Sequence, residues 1–585
     1  MKESLKYFWH YLKEYKLKLT LVIVSVLFSM YFVVRTPEFI GDAINELTKY
    51  LAGSQDKSQF FNVVFMMALF AGLSWIFSLV QNVVMTKISG DATDHMRKDL
   101  FSKIERLPIR FFDQSSDGEI LSRFTSDLDN ISNTLNQSIH QIISNVAMLG
   151  FTLVLMFMNH VELSFVALST VPIMLVIATV ILKKAQVAMS EQQRRIGEMN
   201  GFADERFTGQ KLVIANGLQE DSIENFKEYN EKLFQATFKS TLYPNLLFPT
   251  LQGLQMVTSG IVIFYGAWMT TSGRLPLEEA AGLLFVYTQY VRMIYQPLSQ
   301  IASQFTQMQL AFTGAQRIME IMNEPEEIDN PNSITIDGIQ GNVELDNVSF
   351  AYDDDNYVLK DINIKVDQGM MVALVGHTGS GKTTIMNLLN RFYDIEKGSI
   401  KFDGTDIRTI TKSSLRNHVG IVLQDSVVFT GTVHDNIAFG RRDASREEVI
   451  AVAKSAHIHD FIMTLEDGYD TTVSESNSAM SVGQKQLLSI ARTMLVNPDL
   501  LILDEATSNV DTVTEHQIQA AMDEIVKGRT SFVIAHRLKT ILEADHIIVL
   551  QDGQIIEEGT HQSLLDDQGH YSELYHNQFV FENYQ

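Results

Sequence analysis

The chain has 585 residues, which is too long for a single ordinary domain. Its net charge of −24 argues against nucleic acid as the main partner, and the lack of cysteine excludes a disulfide framework and a thiolate metal site. Hydrophobic residues make up an ordinary 45% of the chain, but they are concentrated in its first half.

The segment Met1–Lys18 combines five lysines with aromatic side chains such as Tyr7, Phe8 and Trp9. Basic and aromatic residues on one short segment are typical of an amphipathic helix at a membrane surface. We therefore expect this segment to lie on the cytoplasmic face of a membrane.

Six long apolar runs occur before residue 302, and none occurs after it. They are Leu19–Val34, Phe60–Met85, Ile142–Met158, Leu163–Leu182, Leu246–Met269 and Ala280–Ile301. Each is close to the ~20 residues that cross a hydrocarbon core. The alternative is a set of buried helices in a large soluble protein. It is disfavoured because all six runs lie in the first half of the chain. The pattern predicts an all-α, six-helix transmembrane domain in contact with membrane lipids.

Basic residues set the predicted orientation of these helices. The connections after the second and fourth runs are long and rich in lysine and arginine, whereas the loops Asn159–Glu162 and Thr270–Pro276 are short. The positive-inside rule therefore places both termini and the two long connections in the cytoplasm. Helical periodicity on their flanks predicts long helices that end at tips near Phe112–Glu119 and Ala215–Gln219. Solvated linkers are the alternative.

Prolines and acidic residues mark a linker at Asn323–Asn332. Beyond it, strand-like runs alternate with helical ones, as in an α/β domain. We therefore predict a transmembrane domain at residues 1–322, a linker at 323–340 and an α/β domain at 341–585.

The α/β half contains the phosphate-binding pattern G-x-x-x-x-G-K-[ST]. Its residues are Gly376, His377, Thr378, Gly379, Ser380, Gly381, Lys382, Thr383 and Thr384. An apolar strand precedes the pattern and a helical segment follows it, so that backbone N–H groups surround one anion. Lys382 is predicted to reach the β- and γ-phosphates, and the Thr383 hydroxyl to bind Mg²⁺. A glycine-rich turn with a chance lysine is the alternative.

A second apolar strand, Leu500–Leu503, ends in the carboxylates of Asp504 and Glu505. We predict that Asp504 helps to hold Mg²⁺ and that Glu505 activates a water beside the γ-phosphate. A carboxylate pair at a strand end is a weak signal when it stands alone. It becomes specific here because the phosphate loop lies upstream in the same half of the chain.

The segment Ser478–Leu487 resembles the LSGGQ signature of the ATP-binding cassette (ABC) family, and Leu107–Asp113 resembles the first intracellular loop of its exporters. By this resemblance, Tyr352 stacks on adenine, Gln424 contacts Mg²⁺ and the attacking water, and His536 senses the γ-phosphate. The remaining matches are Glu475 before the signature, the nucleotide-contacting signature residues Ser481, Gly483 and Gln484, and the D-loop Ser508–Asp511.

The resemblance covers nearly the whole chain and implies an exporter half-transporter, in which the transmembrane domain is followed by an α/β P-loop cassette. It implies ATP hydrolysis by Glu505, His536 and Lys382, with Mg²⁺ held by Thr383, Gln424 and Asp504. The expected activity is multidrug-type export of hydrophobic or amphipathic compounds across the cell membrane. A lipid or peptide exporter, an importer on the same fold, and an ATP-driven regulator that transports nothing are the alternatives.

The resemblance also implies two chains, because each ATP is held between the phosphate loop of one chain and the signature of the other. This chain has a complete hydrolytic set, but Val482 replaces a glycine of the signature. A β-branched residue restricts the backbone and adds bulk where the chain must approach a phosphate. We therefore expect a heterodimer with a second half-transporter whose signature is intact. A homodimer that tolerates Val482 is the alternative.

The sequence does not decide which charged and aromatic residues of the membrane half line the substrate path. Arg35 follows the first apolar run and Arg292 lies in the sixth. Each is expected either to line the path or to have a structural role, in which it pairs with a neighbouring helix or snorkels to an interface. The structural role is favoured for Arg35. Tyr287, Tyr290 and Ile294 recur at helical spacing. They fit an adaptable substrate surface, but helix packing is favoured.

Overall fold

The computed structural model describes residues 2–51, 58–353, 356–424, 426–475, 480–504, 510–535 and 538–576. The chain divides into two compact units. The first unit is made of Met1–Leu107 and Ser115–Pro325, and the second of Pro108–Gln114 and Glu326–Gln585. The domain limits drawn from the sequence pattern, at residues 322 and 341, stay predictions.

Helices build the first unit. In chain order, the helices up to residue 323 are α1 (Lys2–Leu12), α2 (Lys16–Leu51), α3 (Ser58–Ile104), α4 (Ile109–Gln114), α5 (Asp117–Ser122), α6 (Leu128–Asn133), α7 (Ile139–Asn159), α8 (Val161–Leu168), α9 (Val171–Thr208), α10 (Gln210–Ala215), α11 (Gln219–Thr271) and α12 (Leu277–Asn323). Of these, α4 belongs to the second unit. Wider π-type turns at Arg123–Asp127 and Thr134–Ser138 join α5, α6 and α7 into one continuous helix.

The first helix has the two-sided character that its sequence predicts. In α1, Phe8 and Tyr11 are buried against the rest of the unit, and the Tyr11 hydroxyl donates to the Asp99 carboxylate (3.0 Å). Leu5 and Trp9, on the other side, are more than half exposed. An exposed apolar side with lysines beside it suits the predicted position at a membrane surface.

Within the described part of the chain, five helical stretches are long and apolar enough to cross a membrane. They are Glu3–Tyr50, Ser58–Ile104, Asp117–Asn159, Val161–Thr208 and Gln219–Thr271. The sixth predicted run forms α12, which is a continuous helix. It is not one of the five, and its apolar stretch contains the polar residues Gln289, Arg292 and Gln296.

The two tyrosines of α12 pack inside the first unit. Tyr287 and Tyr290 have no exposed surface, and the Tyr290 hydroxyl donates to Glu38 (2.6 Å). The Tyr287 hydroxyl lies 2.7 Å from the carbonyl oxygen of Met156. Glu38 also forms an ion pair with Arg35. These contacts support the packing interpretation of the tyrosines. The Arg35–Glu38 pair lies within α2 itself and does not reach a neighbouring helix, so the role of Arg35, like that of the exposed Arg292, stays a prediction.

Strands and short helices build the second unit. Its strands are β1 (Val343–Ala351), β2 (Tyr357–Val366), β3 (Met371–Val375), β4 (Lys397–Phe402), β5 (Thr405–Asp406), β6 (Val419–Val422), β7 (Gly431–Thr432), β8 (Thr472–Val473), β9 (Leu500–Asp504), β10 (Thr530–Ile534), β11 (His546–Gln551) and β12 (Gln554–Gly559). Its helices after residue 326 are α13 (Lys382–Leu389), α14 (Lys412–His418), α15 (Val433–Ile437), α16 (Arg446–Ser455), α17 (His459–Ile462), α18 (Val482–Val496), α19 (Thr512–Val526), α20 (Leu538–Glu543), α21 (His561–Asp566) and α22 (His570–Leu574).

A six-stranded sheet with the order β12-β11-β3-β10-β9-β6 forms the centre of this unit. All its neighbouring pairs are parallel except β11 and β12. Alternate residues of β9 enter different cores, Leu500 and Ile502 one and Leu501 and Leu503 the other, which explains why the strand is apolar on both faces. A four-stranded antiparallel sheet, β2-β1-β4-β5, completes the predicted α/β architecture.

The irregular segment after α12 is anchored to the second unit by Glu327. Its carboxylate accepts two hydrogen bonds from Arg416 (2.6 and 2.8 Å) and lies 3.4 Å from the Lys412 ammonium. Burial raises the pKa of Glu327, but the Arg416 and Lys412 contacts outweigh burial and hold it below its usual range. The stabilisation is therefore complete above the unfolded-state pKa and is lost as the pH falls through the lowered folded-state pKa.

Replacing Arg416 with Met should loosen residues 327–334 at neutral pH, because a part-buried carboxylate would lose two N–H donors. A hydrogen bond to a charged group contributes about 1.5–3 kcal/mol, so amide exchange in this segment should become at least about tenfold faster in hydrogen–deuterium exchange mass spectrometry. Arg446→Met is the matched control, since the Arg446–Asp470 pair is exposed and such pairs contribute little. Equal exchange in the two variants would contradict the anchoring role.

Candidate nucleotide-binding site

The central sheet presents the carboxyl ends of its five parallel strands at one edge. In that sheet β3, β10, β9 and β6 are consecutive parallel neighbours. The phosphate loop follows β3, Asp504 ends β9, and Gln424 comes just after β6. This edge is where open α/β sheets bind their ligands. The topology therefore gathers three sequence-predicted parts of the site that are far apart along the chain.

The packing of the phosphate loop requires glycine at two positions. A Cβ at Gly376 would lie 2.2 Å from the Leu550 carbonyl oxygen, and one at Gly381 would lie 2.6 Å from Leu359 Cδ2. Gly381 also precedes α13 with a φ of +106°, a conformation that L side chains rarely adopt. At Gly379, by contrast, no atom of the described residues lies within 4 Å of a Cβ position. The loop is thus fixed against the sheet at its ends and open in its middle.

Lys382 and Ser380 give the loop groups that suit an anion. The buried Lys382 ammonium donates to the carbonyl oxygens of Gly376 (2.7 Å) and His377 (3.0 Å). Burial lowers the pKa of Lys382, an effect that the charge of Asp504 partly opposes. The Ser380 hydroxyl is buried without a hydrogen-bond partner among the described residues. Phosphate oxygens would accept from both side chains, so the residues present fit a nucleoside triphosphate.

Tyr352 lies beside the helix that the loop begins. Its hydroxyl donates to Thr384 Oγ1 (3.3 Å), and its ring packs edge-on against Phe350 and Tyr393 with centroid separations of 4.9 and 5.0 Å. The ring is only partly buried. This position is compatible with stacking on adenine, which stays a prediction.

The predicted Mg²⁺ ligands offer oxygen atoms of the kinds that this ion prefers. Thr383 is exposed in the first turn of α13, Gln424 is exposed beyond β6, and Asp504 is partly buried at the end of β9. Hydroxyl, amide and carboxylate oxygens suit a hard divalent cation, so the donor set fits Mg²⁺. The predicted catalytic residues Glu505 and His536 lie outside the described residues.

The signature residues form the beginning of α18. Ser481 caps the helix: its hydroxyl accepts from the Gln484 N–H (3.3 Å), and the Gln484 side-chain oxygen accepts from the Ser481 N–H (2.8 Å). Gly483 is buried, and a Cβ there would lie 2.4 Å from Thr514 Cγ2. Val482 is 60% exposed and has no positive φ. The backbone therefore accommodates Val482, and backbone restriction is no longer a reason to predict an impaired signature. The prediction now depends only on the exposed bulk of the Val482 side chain.

Arg110 and Asp113 are neighbours of the site that no sequence motif assigns to it. Both lie on α4 in the second unit. Arg110 Nη2 donates to the Tyr352 carbonyl oxygen (3.1 Å), and Asp113 accepts from the Tyr393 hydroxyl. The sequence signals available for them were the predicted tip at Phe112–Glu119 and the resemblance of Leu107–Asp113 to an exporter loop. The short helix therefore contacts the aromatic residues next to the phosphate loop.

Comparison with family models agrees with both halves. A model described as ABC transporter transmembrane region matches residues 17–298, and one described as ABC transporter matches residues 359–508. The second match begins before the phosphate loop and ends beyond Asp504. The two matches therefore cover the helical unit and the nucleotide-binding edge of the sheet.

Three curated relatives align with most of the chain. The uncharacterized ABC transporter ATP-binding protein YfiC of Bacillus subtilis (strain 168) is 39% identical over 99% of this chain and 94% of its own. A fatty acid ABC transporter ATP-binding/permease protein of Mycobacterium bovis is 39% identical over 82% of this chain and 75% of its own. The putative multidrug export ATP-binding/permease protein YgaD of B. subtilis (strain 168) is 32% identical over 98% of each chain.

A solved structure resembles the chain over nearly its whole length. It is described as a bacterial Atm1-family ABC exporter with ATP bound, and it matches 96% of this chain and 98% of its own with a TM-score of 0.75 and 30% identity. The likeness extends over a helical membrane domain and a cassette ATPase that binds ATP. The chain therefore belongs to the ABC transporter family, as a multi-pass membrane protein of exporter-type architecture whose ATPase activity is coupled to transport.

Proposed function

We propose that this chain is one half of a heterodimeric, ATP-driven exporter of hydrophobic or amphipathic compounds, with multidrug-type scope. The observation that carries the proposal is the meeting of phosphate loop, Asp504 and Gln424 at one sheet edge, in a chain whose other unit holds helices of membrane-spanning length. A relative named for fatty acid transport and one named for multidrug export support this substrate class. Both termini and the nucleotide-binding domain lie on the cytoplasmic side.

The hydrolytic step is assigned to the residues at this edge. Lys382 and the loop N–H groups hold the β- and γ-phosphates, while Tyr352 stacks on adenine. Glu505 takes a proton from the attacking water, and His536 contacts the γ-phosphate. The residues that would hold Mg²⁺, which neutralises phosphate charge when it is bound, are Thr383, Gln424 and Asp504.

Glu505→Gln should leave ATP binding nearly intact, because the amide keeps the size of the carboxylate, but it removes the base. Turnover should fall by roughly 10²–10⁴, the usual scale for acid–base catalysis. ATPase rates and nucleotide affinity of the purified complex measure the two effects separately. Glu447→Gln, at an exposed carboxylate on α16, is the control. Unchanged turnover in Glu505→Gln would remove Glu505 from this role.

Transport assays decide among the substrate alternatives. Inside-out vesicles that contain the purified complex would be given ATP and fluorescent amphipathic drugs, fatty acids or peptides. ATP-dependent accumulation inside these vesicles corresponds to export, and ATP-dependent loss of a preloaded compound corresponds to import. ATP hydrolysis without movement of any compound would favour the regulator. Fatty acid accumulation alone would restrict the scope to lipids.

Coupling between hydrolysis and transport is assigned to the tips of the long cytoplasmic helices. Leu212, Ile214 and Leu218 at the second tip are 69%, 56% and 42% exposed, which gives an apolar surface suited to docking on a nucleotide-binding domain of the dimer. Two states with different ATP affinity, linked through such contacts, would carry the movement of the cassettes to the membrane.

Leu218→Asp should therefore reduce ATP-dependent transport more than basal ATPase activity, since it places a charge on this apolar surface without touching the nucleotide. Both rates are measured on the same reconstituted preparation. The control is Ile223→Asp, at a similarly exposed position (48%) farther along α11. Equal loss of transport and ATPase activity in an intact Leu218→Asp protein would argue against the coupling role.

The proposal of a heterodimer depends on the contrast between this chain's complete set of hydrolytic residues and its altered signature. The exposed branch of Val482 stands at the beginning of α18, where the N–H groups of a helix would approach the partner's nucleotide. A homodimer would carry this obstruction at both sites. A partner with an intact signature would complete a fast site on this chain's ATP, and Val482 would face a slow one.

Val482→Gly should raise hydrolysis only in complexes whose partner keeps its own catalytic carboxylate, because the change relieves the site formed on the partner's ATP. ATPase rates of the chain alone and with candidate half-transporters, with and without the substitution, measure this dependence. A stable homodimer of the unaltered chain with vigorous ATPase activity and transport would defeat the heterodimer.

A further inference from the structure

Arg492, on α18, is a half-buried cation whose hydrogen-bond partners in the described part of the chain are neutral oxygen atoms. Its Nε donates to the Asn436 carbonyl oxygen (2.9 Å), and its Nη2 lies 3.3 Å from the Val427 carbonyl oxygen and from Asn436 Oδ1. Burial lowers its pKa, and no acidic side chain among the described residues pairs with it. Burying a charge costs free energy unless pairing and hydrogen bonds replace its contacts with water.

Two phenylalanines complete the surroundings of Arg492. The rings of Phe429 and Phe439 are parallel with centroids 4.2 Å apart, and the guanidinium lies 5.3 Å from each centroid. Cation–π attraction offsets part of the desolvation cost. An aliphatic side chain could fill the same space more cheaply. A planar guanidinium, however, can contact both rings while it donates to two segments of backbone.

Glu475 makes a second connection between the same parts of the unit. Its carboxylate accepts from the Val428 N–H (3.1 Å) and pairs with the ammonium of Lys485 in the first turn of α18. Residues 427–429 are therefore tied to α18 near its beginning through Glu475 and farther along through Arg492. Two separated connections prevent the segment from turning independently of the helix.

We propose that Arg492 is a positioning residue that fixes residues 427–429 to α18. Gln424 lies three residues before Val427, and Ser481 caps α18. A displacement of Gln424 by nucleotide in this chain's own site would then move Ser481, which faces the partner's nucleotide. Arg492 would thus link the two ATP sites of the dimer, an inference that rests on the proposed dimeric function.

The absence of cysteine from the sequence makes a direct test possible, because two labels can be placed without background. Val427 is 53% exposed, and Ser489 is partly exposed on α18 one turn before Arg492. Val427→Cys and Ser489→Cys would carry spin labels in the full chain, diluted with unlabelled chain. Short-range electron paramagnetic resonance would measure their separation with and without Mg²⁺ and the slowly hydrolysed nucleotide ATPγS. We expect one narrow separation that nucleotide does not change.

Arg492→Met should broaden this separation and make it sensitive to nucleotide, and Arg492→Lys, which keeps the cation, should partly restore it. The ATPase kcat of Arg492→Met should fall at least about fivefold, which corresponds to ~1 kcal/mol in the activation barrier. Its KM for ATP should stay within about twofold, because Arg492 does not touch nucleotide. Arg446→Met, at an exposed arginine of the same unit, should change neither quantity.

Glu475→Gln, a milder change at an exposed carboxylate, covers the case in which Arg492→Met fails to fold. It should broaden the label separation in the same direction. A narrow, unchanged separation with unchanged kcat in both variants would overturn the proposal. So would loss of folded Arg492→Met combined with unaltered label behaviour in Glu475→Gln. Failure of the unsubstituted chain to bind ATPγS would instead overturn the proposed function itself.

Discussion

The approach of the Gly376 backbone to the Leu550 carbonyl oxygen is the constraint on which the nucleotide-binding unit depends. At Gly376 the beginning of the phosphate loop packs directly against β11. At the other end of the loop, Gly381 packs against Leu359 of β2. The direction of the loop N–H groups is therefore set by the two sheets and not by a ligand. An anion site fixed in this way needs little reorganisation when phosphate arrives, which favours binding of a developing charge.

The same constraint explains why this part of the chain could be predicted well. A glycine pattern of fixed spacing, an apolar strand before it and a carboxylate at a later strand end are all local features. The rules of parallel sheets then bring Asp504 and Gln424 to one edge without further information. Arg492 could not be predicted as a central residue, since its partners Asn436 and Val427 lie 56 and 65 positions away. No local pattern around it distinguishes this arginine from a surface residue.

In the membrane half, too, some features could be predicted from the sequence and others could not. Hydropathy and periodicity were enough to predict long apolar helices, because crossing a hydrocarbon core demands both. They were not enough to decide what Tyr290 does, since a tyrosine at helical spacing suits a substrate surface as well as a packed interior. Its hydroxyl finds Glu38 on α2, 252 positions away, and that pairing depends on how α2 and α12 meet. This hydrogen bond occupies the Tyr290 hydroxyl and a Glu38 carboxylate oxygen, which could otherwise have contacted a substrate.

The second unit is discontinuous in sequence, because α4 lies far ahead of everything else in it. Arg110 and its partner Tyr352 are 242 positions apart, so the ribosome makes one piece of this unit long before the rest exists. The unit can be completed only when the membrane half has already been synthesised. A recombinant fragment that starts at residue 326 would leave the Tyr352 carbonyl and the Tyr393 hydroxyl to water. Such a fragment would therefore lack contacts that hold two aromatic residues beside the phosphate loop in the whole chain.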